Sequence, residues 1–249
     1  MRNLITCIIF LFTIFSSYCQ NIVTDRPDQT ESSSTVSRGS LQIETGVLVL
    51  YTEDDISSSR QVLAPTNLFR YGVLKGIELR VLSEFQSLKE KKSSTILNGI
   101  SDLQVGTKIA LLNNEDVNTE VAFLSHVVLP TGTFGLTNNK IGTVNKFSIS
   151  HVISESLGLG YNLGYNYFGE GEGDFTYSIA FGVTINNHFG IYIEPYGQFI
   201  DFNNHESSID AGITYLVKNN IQLDFSFGTG INYNMNYLSL GCSFNIKKL

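Results

Sequence analysis

Charged side chains recur at alternate positions within apolar, strand-like segments of this sequence. In an extended strand these side chains share one face, opposite the apolar residues. So many charges away from bulk water are tolerated only if they are paired or hydrated. If such strands close into a barrel, this face lines its interior. One interpretation is then a polar lumen that conducts small solutes, and the other is a salt-bridged interior that the side chains fill. The residues predicted to line the interior are Glu44, Glu78, Arg80, Glu84, Asp102, Lys108, Glu120, His126, Lys146, Glu194, Asp210 and Asp224.

The histidines are the side chains to test for catalysis, because a hydrolytic site needs a nucleophile beside a His or an Asp–His couple. His126 faces inward, whereas the neighbouring Ser125 faces the opposite side. His151, His188 and His205 have no partner at a fixed spacing, and no two histidines recur at metal-ligand spacing. We therefore predict no catalytic residue, no metal site and no cofactor. A lipid-modifying enzyme of the outer membrane remains a minor alternative.

Composition excludes other classes of protein. The net charge is −7 and the basic residues form no stripe, so nucleic acid is not an expected partner. Charged residues make up 16% of the chain, against about a quarter in soluble domains. Cys7 and Cys19 fall in the leader described next, which leaves Cys242 alone, without an intramolecular disulfide or a cysteine metal site.

The first 19 residues have the pattern of a signal peptide. A short basic start precedes the apolar run from Leu4 to Phe15, and small residues at Ser17 and Cys19 suit cleavage before Gln20. The run is shorter than the roughly 20 residues of a spanning helix. A lipoprotein anchored through Cys19 is the rival interpretation, and the bulky Tyr18 argues against it.

From residue 39 onward the chain alternates apolar and small or polar residues with a period of two, which predicts β-strands. The segments have the roughly 9–11 residues that a transmembrane strand needs. Their even number suits a barrel with both termini on one side. The twelve predicted strands lie at about 41–51, 62–73, 77–85, 100–112, 118–129, 143–153, 157–167, 175–185, 191–199, 209–217, 221–228 and 235–247.

The connections between these strands alternate in length. Short turns are predicted at 75–76, 113–116, 154–156, 186–190 and 218–220, and longer loops at 53–60, 88–98 and 130–142. With the termini in the periplasm, the long loops fall outside the cell. A secreted β-sandwich is the rival fold. It is disfavoured because the apolar face persists on nearly every strand.

The end of the chain carries a further signal. Gly241, Phe244 and Ile246 occupy the positions of the terminal-strand motif that the outer-membrane barrel assembly machinery reads, although three residues follow Ile246. This machinery and the lipid bilayer are the predicted partners.

Residues 20–38 lack strand alternation and precede the first strand. Asp25, Arg26 and Asp28 surround Pro27, which fixes the local backbone. We predict a small plug in the periplasmic mouth, with Arg26 pairing inward carboxylates. The alternative is a disordered leader.

Several stretches carry a family resemblance: Thr24–Ser32 (TDRPDQTES), Gly39–Gly46 (GSLQIETG), Asp102–Leu103 with Gly106 and Lys108, and Leu129–Gly132 (LPTG). They resemble the outer-membrane family of meta-pathway phenol degradation proteins, also called transporters. The resemblance implies a barrel that moves small hydrophobic or aromatic compounds.

The sequence thus predicts an all-β protein, a transmembrane antiparallel up-and-down barrel of twelve strands in the outer membrane of a Gram-negative bacterium. Residues 1–19 are the signal peptide, 20–38 the periplasmic segment and 39–249 the barrel. The predicted function is a porin-like transporter or channel for small compounds. The alternative is a structural barrel with a side-chain-filled, non-conducting lumen.

Overall fold

The computed structural model describes residues 22–54, 58–90, 95–114 and 118–247. The predicted signal peptide lies outside these ranges. Within them no helix is long and apolar enough to cross a membrane.

The described chain is a closed antiparallel β-barrel, which confirms the predicted fold. Strands that follow one another in sequence are paired, except the fourth and fifth, and the first strand pairs with the last to close the wall. The strands are β1 Leu41–Glu53, β2 Ser58–Leu74, β3 Ile77–Glu90, β4 Ile96–Ile100, β5 Leu103–Asn114, β6 Thr119–Leu129, β7 Gly142–Val152, β8 Leu157–Tyr167, β9 Asp174–Thr184, β10 Phe189–Ile200, β11 Asn204–Lys218, β12 Ile221–Gly230 and β13 Asn234–Ile246.

The wall has twelve positions because β4 and β5 share one. Both pair with β3, β4 along its second half and β5 along its first. Ser101 and Asp102, which belong to neither strand, separate the two pieces. The predicted fourth strand is therefore one wall position built from two pieces.

The two faces of the wall follow the alternation in the sequence. Large apolar side chains such as Phe227 and Leu240 are exposed on the outside, at 52% and 61%. Their sequence neighbours Ser226 and Ser239 are buried inside. Closure pairs the edges of the sheet, and this is what lets a polar backbone lie in lipid.

Two of the predicted long loops are shorter than expected, because the strands run on past the apolar zone. β2 begins at Ser58 and β3 ends at Glu90, and their ladder still joins Ser59 to Glu90. On β1, the hydroxyl of Thr52 bonds that of Ser59 at 2.8 Å. Backbone pairing in water needs no apolar side chains, so hydropathy alone underestimates these strands. The connection at 130–141 remains the long one.

The barrel has two distinct ends. At the short-turn end, the Ile22 amide donates to the Asn219 carbonyl at 2.8 Å and the Gly39 amide to the Gly72 carbonyl at 2.7 Å. At the opposite end, the Asp102 carboxylate accepts the amides of Gly132 (2.8 Å) and Asn138 (3.0 Å). The chain before β1 therefore sits at the short-turn end, and the 130–141 loop is tied down at the other.

The outward face predicts how the barrel responds to a new charge. Leu240 lies in the middle of β13, so Leu240→Arg should destabilise the barrel in a bilayer by about 2–4 kcal/mol, as an arginine at the midplane does. The same change at Ile246, at the strand end, should have a smaller effect. Urea unfolding in lipid vesicles, followed by circular dichroism, measures both. Equal losses of unfolding free energy in the two variants would contradict a bilayer whose midplane lies at the level of Leu240.

Candidate functional site: the lumen and the segment before the barrel

Residues 22–38, called here the N-terminal segment, run inside the barrel. The Asp25 amide donates to Glu44 on β1 at 2.9 Å, and the Gln29 amide donates to Glu194 on β10 at 2.7 Å. The Val36 amide donates to Glu78 on β3 at 2.7 Å. Inward carboxylates on well-separated strands thus accept the backbone of the segment.

Asp25 is the charged centre of this segment. Its carboxylate lies 2.5 Å from the Arg80 guanidinium, 2.9 Å from the Lys108 ammonium and 3.2 Å from the Arg70 guanidinium. It also accepts the amide and hydroxyl of Ser32, at 2.9 and 2.7 Å. One buried carboxylate is therefore held by three cations, here called the basic cluster (Arg70, Arg80 and Lys108).

The wall itself supplies part of the countercharge of the basic cluster. Arg70 pairs with Glu44 at 2.9 Å and with Glu78 at 2.8 Å. Arg80 pairs with Glu78 at 2.9 Å. Two wall carboxylates do not balance three cations. Asp25 and Glu31 of the segment add two negative charges, Glu31 lying 2.7 Å from Arg80, so four carboxylates surround the basic cluster.

Arg26 faces the four consecutive wall strands β2, β1, β13 and β12. Its guanidinium lies 3.0 Å from Asp224 on β12 and donates to the Ser239 hydroxyl at 2.8 Å. A Cβ at Gly241 would lie 2.3 Å from Arg26 Nε and 2.5 Å from Asp224 Oδ2. The absence of a side chain at Gly241 thus makes the room in which this ion pair forms.

Hydroxyl and amide groups of the second half of the segment bind polar side chains of the wall. The Thr30 hydroxyl bonds both Ser178 and Glu194. The Glu31 amide donates to Asn162 at 2.7 Å, and the Asn162 amide group returns a bond to the Glu31 carbonyl at 3.0 Å. The Ser33 hydroxyl donates to Glu120 at 2.9 Å. The segment therefore contacts the wall nearly all the way around.

Burial and the charges of the wall shift the pKa values of the carboxyl groups of the segment. Burial alone would raise the pKa of Asp25, but Arg70, Lys108 and Arg80 outweigh it and hold that pKa well below the ordinary 3.8. Burial and then the Glu194 carboxylate raise the pKa of Asp28 well above 3.8. Asp25 is thus an anion under all ordinary conditions, whereas Asp28 takes up a proton readily.

Carboxyl groups collect on the wall near Asp28. Glu194 and Asp210, at paired positions on β10 and β11, are both buried. The Tyr237 hydroxyl donates to Asp210 Oδ2 at 2.5 Å, while Asp210 Oδ1 has no hydrogen-bond partner in the described structure. Asp28, Glu194 and Asp210 are called the acidic cluster below.

The predicted interior residues fall into three groups. Glu44, Glu78, Arg80, Lys108, Glu194 and Asp224 contact the N-terminal segment directly, as does Glu120. His126 and Asp210 are buried in the wall network, and Glu84 and Lys146 are half-buried. Asp102 lies at the rim, where backbone amides of the long loop use both of its oxygens, so it anchors that loop.

Arg70 is the main residue that the sequence pattern did not put among the interior charges. It is fully buried, yet its strand is less regular because the register shifts between Leu63 and Thr66. The large rings Phe69 and Tyr71 on either side of it were the available signal, since both are exposed on the outer face.

None of the histidines in the described residues forms a Ser–His–acid arrangement. His126 Nε2 accepts from Arg80 Nε at 3.0 Å and His126 Nδ1 bonds Gln104 at 3.2 Å. His151 bonds Thr119 at 2.9 Å and Tyr161 at 3.3 Å, with no carboxylate among these contacts. Across the described ranges, no group of three or more His, Cys, Asp or Glu could hold a metal ion.

Three cavities adjoin the N-terminal segment. One, of about 560 Å³, lies beside Thr30–Ser34 and residues 118–120, and the other two lie toward opposite ends of the barrel. One of about 590 Å³ opens at the short-turn end, between Ile22–Val23, Ser33–Ser37, Arg70 and the 219–220 turn. The other, of about 240 Å³, lies toward the long-loop end and includes Gln29 in its lining. The segment is thus exposed to a cavity on both sides.

The sequence decides which family this barrel represents. The family model described as "Putative MetA-pathway of phenol degradation" matches residues 24–247, nearly all of the described chain. The protein belongs to this family. The resemblance seen in the sequence is thereby confirmed, and no curated protein matches the chain.

Solved outer-membrane barrels share the fold of this family member. An outer membrane channel from Pseudomonas putida F1 is similar with a TM-score of 0.71 and 12% identity, over 90% of this chain and 100% of that one. The KdgM porin, solved in complex with disordered oligogalacturonate, has a TM-score of 0.56 and 10% identity over 82% and 98%. The NanC porin has a TM-score of 0.52 and 13% identity, over 80% of this chain and 98% of that one. These structures are channels and porins, and the family member is, like them, an outer-membrane β-barrel.

The close approach of Arg26 to Gly241 predicts the effect of adding a side chain at Gly241. Gly241→Ala should push the Arg26 guanidinium away from Asp224 and loosen the N-terminal segment, because a Cβ has no space there. Gly182→Ala is the matched control, since a Cβ at that strand glycine meets nothing within 4 Å. Limited proteolysis near residue 26, on barrels shown to be folded by their gel mobility before heating, measures the loosening. Equal protection in both variants would contradict the assigned contact.

The two shifted carboxyl groups predict how the segment responds to pH. The pKa of Asp25 is lowered in the folded protein. Its contribution to stability is therefore fully present above pH 3.8 and is lost only as the pH falls below that value. Asp28 has a raised folded pKa, so its burial becomes more favourable as pH falls. Acidification from pH 8 to pH 5 should therefore leave the segment bound. Protease protection across this range measures it, and release by pH 5 would contradict the assignment.

Proposed function

We propose that the protein is an outer-membrane channel for small solutes, and that its N-terminal segment is a removable plug in the periplasmic mouth. The observation that carries the proposal is the chemistry of the contacts. Charged and hydrogen-bonding groups hold the segment, and water can replace them as it leaves. A segment meant only to fill a barrel would be held by apolar packing.

Charge complementarity supports the same proposal. The wall places the basic cluster on β2, β3 and β5 and the carboxylates Glu194, Asp210 and Asp224 on β10–β12. Asp25 and Glu31 meet the first group and Arg26 meets Asp224. Removing the segment would expose walls of opposite charge facing each other across a hydrated lumen, which suits passage of small polar solutes.

The orientation and the partners belong to this proposal. The short-turn end, where the N-terminal segment enters, is assigned to the periplasm. Phe244 and Ile246 face outward on β13 and Gly241 inward, an arrangement that suits recognition of this strand by the barrel assembly machinery. We infer that the protein is not an enzyme, in keeping with its channel and porin neighbours.

A non-conducting structural barrel is the second candidate, and one observation favours it. Arg70, Arg80, Glu44 and Glu78 are almost wholly buried and paired with one another, as in a packed interior. Removing one partner of a buried pair costs about 3–5 kcal/mol, because the other charge is left buried without a partner, so the network favours an interior that keeps all its members in place.

Conductance in planar bilayers tests the plug. Asp25→Asn and Arg26→Ala each remove a charge that ties the segment to the wall, so both should raise the open probability several-fold over the native barrel. Deleting residues 22–37 should give a continuously open pore. Lys140→Ala is the matched control, because Lys140 pairs with Glu170 on exposed loops at the other end.

The same measurement separates the two candidates. If deletion of the segment leaves the barrel closed and its stability unchanged, the plug is excluded. If the deleted barrel conducts, Lys108→Gln in that background should mainly change ion preference. If the deleted barrel stays closed, the same substitution should make a filled barrel leakier.

A further inference from the structure

The 240 Å³ cavity at the long-loop end, called here the vestibule, is walled by β7–β11 and closed on one side by Tyr233. It is smaller than the roughly 300–1,000 Å³ of pockets for drug-sized ligands, so it suits one small solute. The N-terminal segment reaches it through Gln29. A solute entering from the long-loop end would meet this cavity before the segment.

The vestibule lining is polar. Amides come from Asn162, Asn166 and Gln198, and tyrosine side chains from Tyr196 and Tyr233. Hydroxyl groups of serine and threonine complete it, and the described lining contains no Leu, Ile, Val, Met or Phe. Amides and hydroxyls that both donate and accept, together with amphipathic rings, match a ligand with hydroxyl groups and C–H faces.

Several of these groups are held in place by one another. The Ser208 and Tyr233 hydroxyls lie 2.9 Å apart, and Gln198 donates to Glu206 at 2.9 Å. Asn166 is different, because its buried Oδ1 has no hydrogen-bond partner in the described structure. A buried acceptor of this kind is stabilised by a donor from a bound molecule.

Charge decides which polar molecules fit. Lys146 has no ion pair within 4 Å in the described residues, and Glu206 is the only carboxylate of the described lining, so the vestibule carries no net charge. Glu194 and Asp210 of the acidic cluster lie on the same wall toward the short-turn end. A neutral solute is therefore favoured over an anion.

We propose that the vestibule is a binding site for a neutral polyhydroxylated solute of monosaccharide size. This deepens the proposed function by naming the solute class that the channel would admit. A hydrocarbon or simple aromatic ring would leave the amides and hydroxyls without partners, at about 1–3 kcal/mol for each buried group. A polyol supplies donors and acceptors to all of them.

Binding to the full mature barrel in detergent micelles tests the site without requiring permeation. Saturation-transfer NMR titrations use glucose as the probe, with phenol and galacturonate as comparison solutes. Glucose should give a saturable signal that phenol does not displace, and galacturonate should bind more weakly. Because the segment stays in place, failure of the plug in conductance experiments would not affect this result.

Two variants locate the binding. Asn166→Leu and Thr176→Val should weaken glucose binding by about tenfold, equivalent to about 1.4 kcal/mol, because each removes a hydrogen-bonding group from the lining. Asn236→Leu is the matched control, since Asn236 is exposed on the outer face of β13. Gel mobility before heating verifies that each variant is folded.

Three outcomes would overturn the proposal. The first is no saturable glucose signal with the native barrel. The second is tighter binding of phenol or galacturonate than of glucose. The third is equal binding in the native barrel, Asn166→Leu and Thr176→Val, which would place glucose elsewhere.

Discussion

The interior of this barrel depends on one electrostatic constraint, that a buried charge needs a partner. Three cations of the wall, Arg70, Arg80 and Lys108, face two wall carboxylates, Glu44 and Glu78. Asp25 lies within 3.2 Å of all three cations. Because these two wall carboxylates do not balance the three cations, the segment before the first strand becomes part of the interior.

The same constraint explains the arrangement of the segment. Arg26, next in sequence to Asp25, pairs with Asp224 on β12. Glu31 returns to Arg80. Polar contacts of this kind fix a position while leaving the segment exchangeable with water. Above it, the vestibule is lined by amides and hydroxyls, so the path we propose is polar from the outer mouth to the plug.

The family description concerns phenol degradation, whereas the interior is suited to more polar molecules. The two are reconciled if the family shares the barrel and the segment, while the inward residues of each member select its solutes. In a β-strand the inward side chains alternate with those that face lipid, so they can change without disturbing the wall.

The sequence by itself determined the strands, their number, the two faces and the family. The period-two alternation is local, and most strands pair with the strand next in sequence. Predicting the strands and their faces therefore needs no information from distant parts of the chain. It also indicated most interior charges and Arg26 as a partner for inward carboxylates. Pairing at strand ends was underestimated, since hydropathy does not report hydrogen bonds made in water.

Only the tertiary structure decided which charges meet. Asp25 and Lys108 are 83 residues apart in sequence, and Arg26 and Asp224 are 198 apart. Barrel closure brings these pairs together, and closure depends on every strand at once. The same holds for Gly241, whose lack of a side chain matters only because the Arg26 guanidinium lies against it. Contacts across a closed wall have no local signature, and for that reason the sequence could name the residues without naming their partners.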